Sequence, residues 1–312
     1  EEEEQALRRL LPPGLRAGVV PSTIQEHGDR HPPAPMISIR TQSEIPPAWA
    51  SELAAILART TGYDHLKAYR EKTGSKVPCG HLPKYCSRAV AEQAMLLWMS
   101  LLRKLPAQME HFRSFNRDGL TGFECEGKNL LVVGVGNIGS EVVRIGTGLG
   151  MNVRGVDIVH RHASVSYVPV DEGLANADVV VCSMNLTSSN AGYFGLDRFR
   201  TFRKGAFFVN IARGEISPPA DLLQALDQGF LAGAGLDVYD QESVLAVALR
   251  AGKPSSEPAV RAVLELAKRS NVILTPHNAF NSHESVERKS RQTLEQIAHF
   301  RQHGAFLRQA PD

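Results

Sequence analysis

From Asn129 onward the chain repeats one unit, a near-continuous apolar run followed by a helix-like connection. The runs are NLLVVGV, MNVRGVD, ADVVVCS, GAFFVNI, GAGLDVY and NVILTP. A strand with one wet face alternates apolar and polar residues, whereas a strand buried on both faces does not. Six such runs separated by helical patterns predict a doubly wound parallel sheet with helices on each side. This constraint is strong, because few other folds hide strands of that kind.

The rest of the chain is less regular. Residues 1–47 are proline-rich and read as irregular, with short apolar pieces AGVV and MISI. A helical pattern follows in AWASELAAIL (48–57), then ARTTG, then a second helix-like stretch to about Lys72, which suggests a small α/β domain. The longest helix signal is SRAVAEQAMLLWMSLLRKL (87–105), whose apolar positions recur at spacings of three and four. Pro106 is expected to stop or kink it. Residues 243–270 read as a helical insert. A final amphipathic helix from about Ser282 to Gln302 is expected, with Asn281 and Glu284 placed to form its capping box.

Composition excludes several classes. The chain has 312 residues, room for two domains, with 43% apolar and 22% charged residues. A net charge of +2 gives no electrostatic case for nucleic acid. The longest apolar run, AMLLWMSLL, is about half a membrane span. The opening EEEEQALRRL has no apolar core behind it and so is no secretory signal. It also lacks a methionine, as the start of a segment from a longer product would. Cys79, Cys86, Cys125 and Cys182 show no C-x-x-C spacing, and the HRH of residues 160–162 has no ligand partners at metal spacing. A metal-free protein of the cytoplasm is the expectation.

GVGNIG, residues 134–139, has the form G-x-G-x-x-G. Alone the pattern is weak. Here an apolar strand precedes it and a helix pattern follows, so Gly134, Gly136, Asn137, Ile138 and Gly139 form a turn from strand into helix. Its backbone N–H groups would meet a pyrophosphate. Asp157 ends the next strand at about the twenty-residue interval where a carboxylate takes the ribose hydroxyls and repels a 2′-phosphate. NAD is favoured over NADP, although Arg161 stands close by.

In open α/β sheets, ligands bind beyond the carboxyl ends of the strands. The polar residues at those ends are Asn185 with Asn190, Arg213, Asp237 with Glu242, and His277. Arg213 is either a carboxylate clamp or a surface ion-pair partner. Glu242 is either a solvated residue of the insert or a partner for His277. In LTPHNAF, His277 is either a polar plug at a strand end or a proton donor. A carboxylate partner would orient its imidazole and stabilise the charged form.

GVGNIG…VD, NIARGE, GLDVYDQE and TPHNAF, in this order, resemble the D-isomer-specific 2-hydroxyacid dehydrogenase family, as does YCSRAVAEQAMLL. TPHNAFNSHESV looks closest to the family's D-lactate dehydrogenase-like branch. The resemblance covers about residues 50–300. It implies two Rossmann-like domains with the active site in the cleft between them, in a homodimer. An NAD-binding domain at 99–281 would be inserted into a smaller flavodoxin-like substrate domain at 1–98 and 282–312. By the same resemblance, Arg213 binds the substrate carboxylate and carbonyl, His277 is the acid/base and Glu242 its pairing carboxylate. Asp237 would contact the nicotinamide side. Ile211 and Ala212 would line the nicotinamide pocket, and Asn190 would lie near the cofactor. Thr61 and Gly62 match a loop that grips the substrate carboxylate, and Tyr85 matches a tyrosine that reaches the substrate. Arg40 is either a second cation over the pocket or half of a surface salt bridge.

The implied reaction is reversible hydride transfer between NADH and a small 2-oxo acid, giving a D-2-hydroxy acid. Two rival readings are a phosphite- or formate-type dehydrogenase and an NAD(H)-sensing binding protein of corepressor type. A formate-type site would carry glutamine in place of Glu242.

Overall fold

The computed structural model describes residues 2–40, 42–252 and 255–311. The chain divides into two compact units, Glu1–Cys86 with Asn281–Asp312, and Ser87–Phe280. Both sheets described below are those formed by the described residues.

In the second unit all six apolar runs are strands: β4 (Asn129–Val133), β5 (Asn152–Val156), β6 (Val179–Cys182), β7 (Ala206–Asn210), β8 (Leu231–Leu236) and β9 (Val272–Leu274). They pair in the order β5-β4-β6-β7-β8-β9, every neighbour parallel. The order reverses at β4, so the crossovers lie on both faces. Helices α4 (Ser87–Leu102), α5 (Leu105–His111), α6 (Asn137–Gly148), α7 (Val170–Asn176), α8 (Leu196–Phe199), α9 (Pro219–Asp227), α10 (Glu242–Ala251) and α11 (Pro258–Leu266) belong to this unit. Every residue of β6 and β7 is buried, as a strand covered on both faces requires. On one face Phe194, Phe199, Phe202 and Phe208 pack ring to ring at 4.9–6.2 Å.

Helix α4 packs along α6 and over β7 and β8, so it belongs wholly to this unit. The changeover therefore falls at Cys86/Ser87, earlier than the sequence placed it. The helix also ends sooner than expected. Lys104 turns left-handed after Leu102, and Pro106 sits in the first turn of α5, where a missing N–H does no harm.

The first unit is built on β1 (Met36–Ile39), β2 (Ala55–Ala58) and β3 (Cys79–Gly80), parallel and in that order. The helical reading of 48–57 is corrected here. A short 3₁₀ turn, Pro47–Ser51, leads into β2, whose four residues are completely buried. A four-residue apolar run carries no period that separates strand from helix, and its place between two strands decides. The reading of residues 1–47 as irregular is also corrected. Besides β1 they contain α1 (Glu2–Leu10) and α2 (Ile24–His27), and α3 (Asp64–Thr73) follows β2. The first turn of α1 is acidic and its last turn basic, which suits the helix dipole.

Helix α12 (His283–His303) closes this unit, capped by Ser282 rather than by Asn281. Its buried face is polar: Ser285, Lys289, Ser290, Thr293 and Gln296. Gln296 donates to the His81 carbonyl at 3.2 Å and accepts from the Arg308 N–H at 3.3 Å. Helix α1 lies against α12 and buries Glu3, Ala6 and Leu7. Glu3 meets Lys289 Nζ at 3.0 Å and Arg59 Nε at 3.5 Å, and the Arg40 Nε donates to it at 3.0 Å. Arg40 is thus paired with a buried carboxylate.

Burial alone would raise the Glu3 carboxyl, but Arg59, Lys289 and Arg40 outweigh it and hold the pKa at about 2, below the ordinary 4.5. The stabilisation is therefore complete above about pH 4.5 and is lost as pH falls toward 2. Glu3→Gln should lower stability at pH 7 by about 3 kcal/mol, the usual effect of breaking a buried ion pair. The gap between the two proteins should close in acid denaturation toward pH 2. Equal denaturant midpoints at pH 7 would contradict this account of α1.

Candidate active site

The glycine loop joins β4 to α6, with Gly136 at the N-cap. Gly134 has φ +93°, and a Cβ there would lie 2.7 Å from the Met184 nitrogen. A Cβ on Gly139 would lie 2.0 Å from the Gly134 oxygen. These two glycines are thus demanded by the fold itself. Gly136 differs, since a Cβ there would meet nothing within 4 Å. That open face, at the start of a twelve-residue helix, is where a pyrophosphate fits. The Asp157 carboxylate accepts from the Val135 N–H at 2.6 Å and the Val159 N–H at 3.0 Å, which fixes it beside the loop. Ser183, not singled out from sequence, donates to the Gly134 oxygen at 2.6 Å. The residues present fit a dinucleotide.

After β6, the Asn190 amide donates to the Asn185 oxygen and accepts from the Thr187 N–H, both at 2.8 Å. It therefore shapes the loop in which Asn185 is exposed. After β7, Ile211 and Ala212 are buried and Arg213 is half-buried, its Nη1 donating to the Ala212 oxygen at 2.8 Å. Asn210 holds this segment. Completely buried, it accepts from the Ala212 N–H at 2.9 Å and donates to the Arg213 oxygen at 2.9 Å and to Ser217 Oγ at 2.8 Å. As the one polar residue within GAFFVNI, it was a signal available in the sequence and passed over. Gly214 lies where a Cβ would come 1.8 Å from the Tyr239 carbonyl carbon, so only glycine lets this loop close against the end of β8.

His277 and Glu242 meet. Imidazole Nδ1 lies 2.9 and 2.8 Å from the two oxygens of Glu242, the first residue of α10. A carboxylate can only accept, so Nδ1 carries the proton and Nε2 is left to exchange one. Both side chains are about one quarter exposed. His277 has φ +50°, in the left-handed region that a non-glycine residue occupies only when its surroundings compel it.

Asp237 supplies that compulsion. It is 1% exposed at the end of β8, and its oxygens accept from Thr275 Oγ1 at 2.5 Å and from the N–H groups of Asn278 and Ala279 at 2.9 Å. Burial pushes its pKa up, offset in part by these donors and by His277. The Tyr239 hydroxyl donates to the Thr275 oxygen at 2.7 Å from the same strand end. Expected on the nicotinamide side, Asp237 has both oxygens engaged in holding the His277 turn. Thr275 and Tyr239 went unnoticed in sequence because their roles depend on a strand end 36–38 residues away.

Thr61, Gly62 and Tyr85 belong to the first unit. Thr60 Oγ1 donates to the Gly62 oxygen at 2.7 Å, and His81 Nδ1 stands 3.1 Å from the Thr61 oxygen. Thr61 Oγ1 lies 3.4 Å from Cys86 Sγ. Tyr85 is buried, and burial lifts its hydroxyl well above the ordinary range. Its carbonyl accepts from Arg288 Nε at 2.8 Å.

Residues 95–279 match a family described as D-isomer specific 2-hydroxyacid dehydrogenase, NAD binding domain. The chain belongs to this dehydrogenase family. A D-lactate dehydrogenase of Streptococcus agalactiae is 33% identical over 214 residues, covering 66% of this chain and 64% of that relative. The chain thus spans less than two thirds of that relative's length. A glyoxylate reductase of Korarchaeum cryptofilum is 28% identical over 263 residues, covering 81% and 74%. Among solved structures, a D-lactate dehydrogenase of Aquifex aeolicus, complexed with NAD and lactic acid, superposes with a TM-score of 0.79 at 27% identity. It covers 90% of this chain and 88% of that one. The dehydrogenase family match makes the second unit an NAD-binding domain, in accord with the fit of its glycine loop.

Asp237→Asn should show whether the strand-end carboxylate holds the turn. The amide would oppose a donor to a donor at Asn278 or Ala279, with a stability loss of about 2 kcal/mol. Hydrogen exchange at the 278 and 279 amides should accelerate. Unchanged protection there would show that the turn holds without Asp237.

Proposed function

We propose that the protein is an NAD-dependent oxidoreductase that interconverts a small 2-oxo acid and the D-2-hydroxy acid. The observation that carries this reading is the His277–Glu242 pair, held by a turn that Asp237 fixes. The bound nicotinamide would supply or accept the hydride at C2 of the acid. Arg213 binds the substrate carboxylate and polarises the ketone. His277, as imidazolium, passes the Nε2 proton to the forming alkoxide oxygen, and takes it back in oxidation. Glu242 accepts from Nδ1 throughout and stabilises the imidazolium. Thr61 and Gly62 are assigned to the substrate carboxylate and Tyr85 to substrate contact.

Asp157, set beside the glycine loop, favours NAD over NADP by accepting ribose hydroxyls. Gly134, Gly136, Asn137, Ile138 and Gly139 would take the pyrophosphate. Asn185, Asn190, Ile211 and Ala212 would complete the cofactor site, with Asp237 behind it. The four cysteines are unbridged, which supports a cytoplasmic setting. Met109, Phe112 and Phe115 are 69%, 74% and 80% exposed, and an apolar run of this kind supports a homodimer.

NADH oxidation should be measured against glyoxylate, pyruvate, hydroxypyruvate, 2-oxobutyrate, phenylpyruvate and oxaloacetate, with chiral analysis of the product. Turnover of one or two acids to the D isomer is expected. His277→Ala should lower kcat by roughly 10²–10⁴ and leave NADH affinity unchanged. Tight NADH binding with no turnover of any acid would overturn the enzyme reading. A collapse of NADH affinity in the variant would make His277 structural.

A further inference from the structure

Arg59 follows β2 and directly precedes the Thr60–Gly62 loop. Its side chain keeps 17% of its surface open, and its Nε is buried without a hydrogen-bond partner among the described residues. Among the described residues it makes an ion pair to Glu3 at 3.5 Å, too long for a good hydrogen bond. A buried guanidinium with donors unmade is unfavourable, and such a group calls for an explanation. Lys289 and Arg40 share the same carboxylate, so among the described residues three cations converge on one anion. Burial, opposed by Glu3 and reinforced by the two guanidiniums, lowers Lys289 to about 8.

The position of this cluster is informative. Lys289 Nζ lies over the Tyr85 ring at 5.6 Å, and Arg59 leads into the Thr61–Gly62 loop. Two of the three cations thus stand next, in space or along the chain, to residues of the first unit assigned above to substrate. The carboxylate that meets them comes from α1, which is joined to the rest of the unit by residues 11–22, none of them buried. Of the four charged groups, Glu3 is the one most readily withdrawn.

We propose that Arg59, Lys289 and Arg40 form a second anion subsite, which takes the distal carboxylate of a dicarboxylic 2-oxo acid. Glu3 stands in for that carboxylate: Oε1 meets Lys289 and Arg59, and Oε2 meets Arg40. A ligand carboxylate would replace it and also take the Arg59 Nε donor, which has no hydrogen-bond partner among the described residues. This inference rests on the 2-oxo acid reading but can fail independently of it.

The test uses the full chain and its Arg59→Gln and Glu3→Gln variants. The ratio of kcat/KM for oxaloacetate over pyruvate should fall roughly tenfold to a hundredfold in Arg59→Gln, as loss of a charge-assisted bond implies. It should rise in Glu3→Gln, where the tethered competitor is gone. Equal losses for both acids would overturn the proposal. So would a rescue of pyruvate turnover by free acetate or phosphate, which would make the anion a separate effector. In parallel, melting without cofactor should show succinate stabilising Glu3→Gln more than acetate does at equal ionic strength, an effect absent from Arg59→Gln. If neither acid is reduced, the melting comparison alone decides the subsite, and the dehydrogenase reading itself fails only if no acid of the panel is reduced. If Arg59→Gln does not fold, the Glu3→Gln ratio decides it.

Discussion

The hydrogen bonds to Asp237 are the interaction on which the rest of the site depends. They tie the end of β8 to the turn after β9, and that turn carries His277. A left-handed non-glycine residue costs on the order of 1–3 kcal/mol. Each hydrogen bond to a charged group returns about 1.5–3 kcal/mol, and Asp237 accepts three. The carboxylate therefore wins, and the imidazole is presented to Glu242 by backbone geometry rather than by a chance rotamer. The price is a carboxylate buried at a strand end, its pKa pushed up by that burial.

The parallel sheet makes this economical. Parallel strands bring all their carboxyl ends to one edge, so residues far apart in sequence converge without long loops. Asn210 does for the Arg213 segment what Asp237 does for His277. The two scaffolds sit at the ends of adjacent strands, β7 and β8. The chemistry assigned to Arg213 and His277 thus rests on polar side chains that touch neither substrate nor cofactor in the proposed mechanism.

What the sequence disclosed follows the same physics. The inner strands β4, β6, β7 and β8 were legible because burial on both faces writes a near-continuous apolar run, whereas the edge strands β5 and β9 bury only one residue each. The glycine loop was legible because steric demand restricts Gly134 and Gly139 to one residue type. β2 was misread because four residues carry no period. α1 was hidden because three charged residues open it, and one of them, Glu3, lies buried against cations distant in the chain. The His277–Glu242 contact spans 35 positions, so no local pattern encodes it. The placement of both residues at strand ends left it as one of two readings, and the likeness to a known family favoured it before the geometry did. Asn210, Ser183 and Thr275 look like ordinary polar residues until the sheet brings their partners beside them.

The most direct test of this account is the ¹⁵N spectrum of the His277 ring in the intact protein, recorded where the imidazole is neutral. A proton on Nδ1, with the hydrogen-bonded shift of a carboxylate partner and an unprotonated Nε2, is the predicted result. A proton on Nε2, with Nδ1 bare, would mean that Glu242 does not orient the ring, and the proton-transfer role given to His277 would have to be withdrawn.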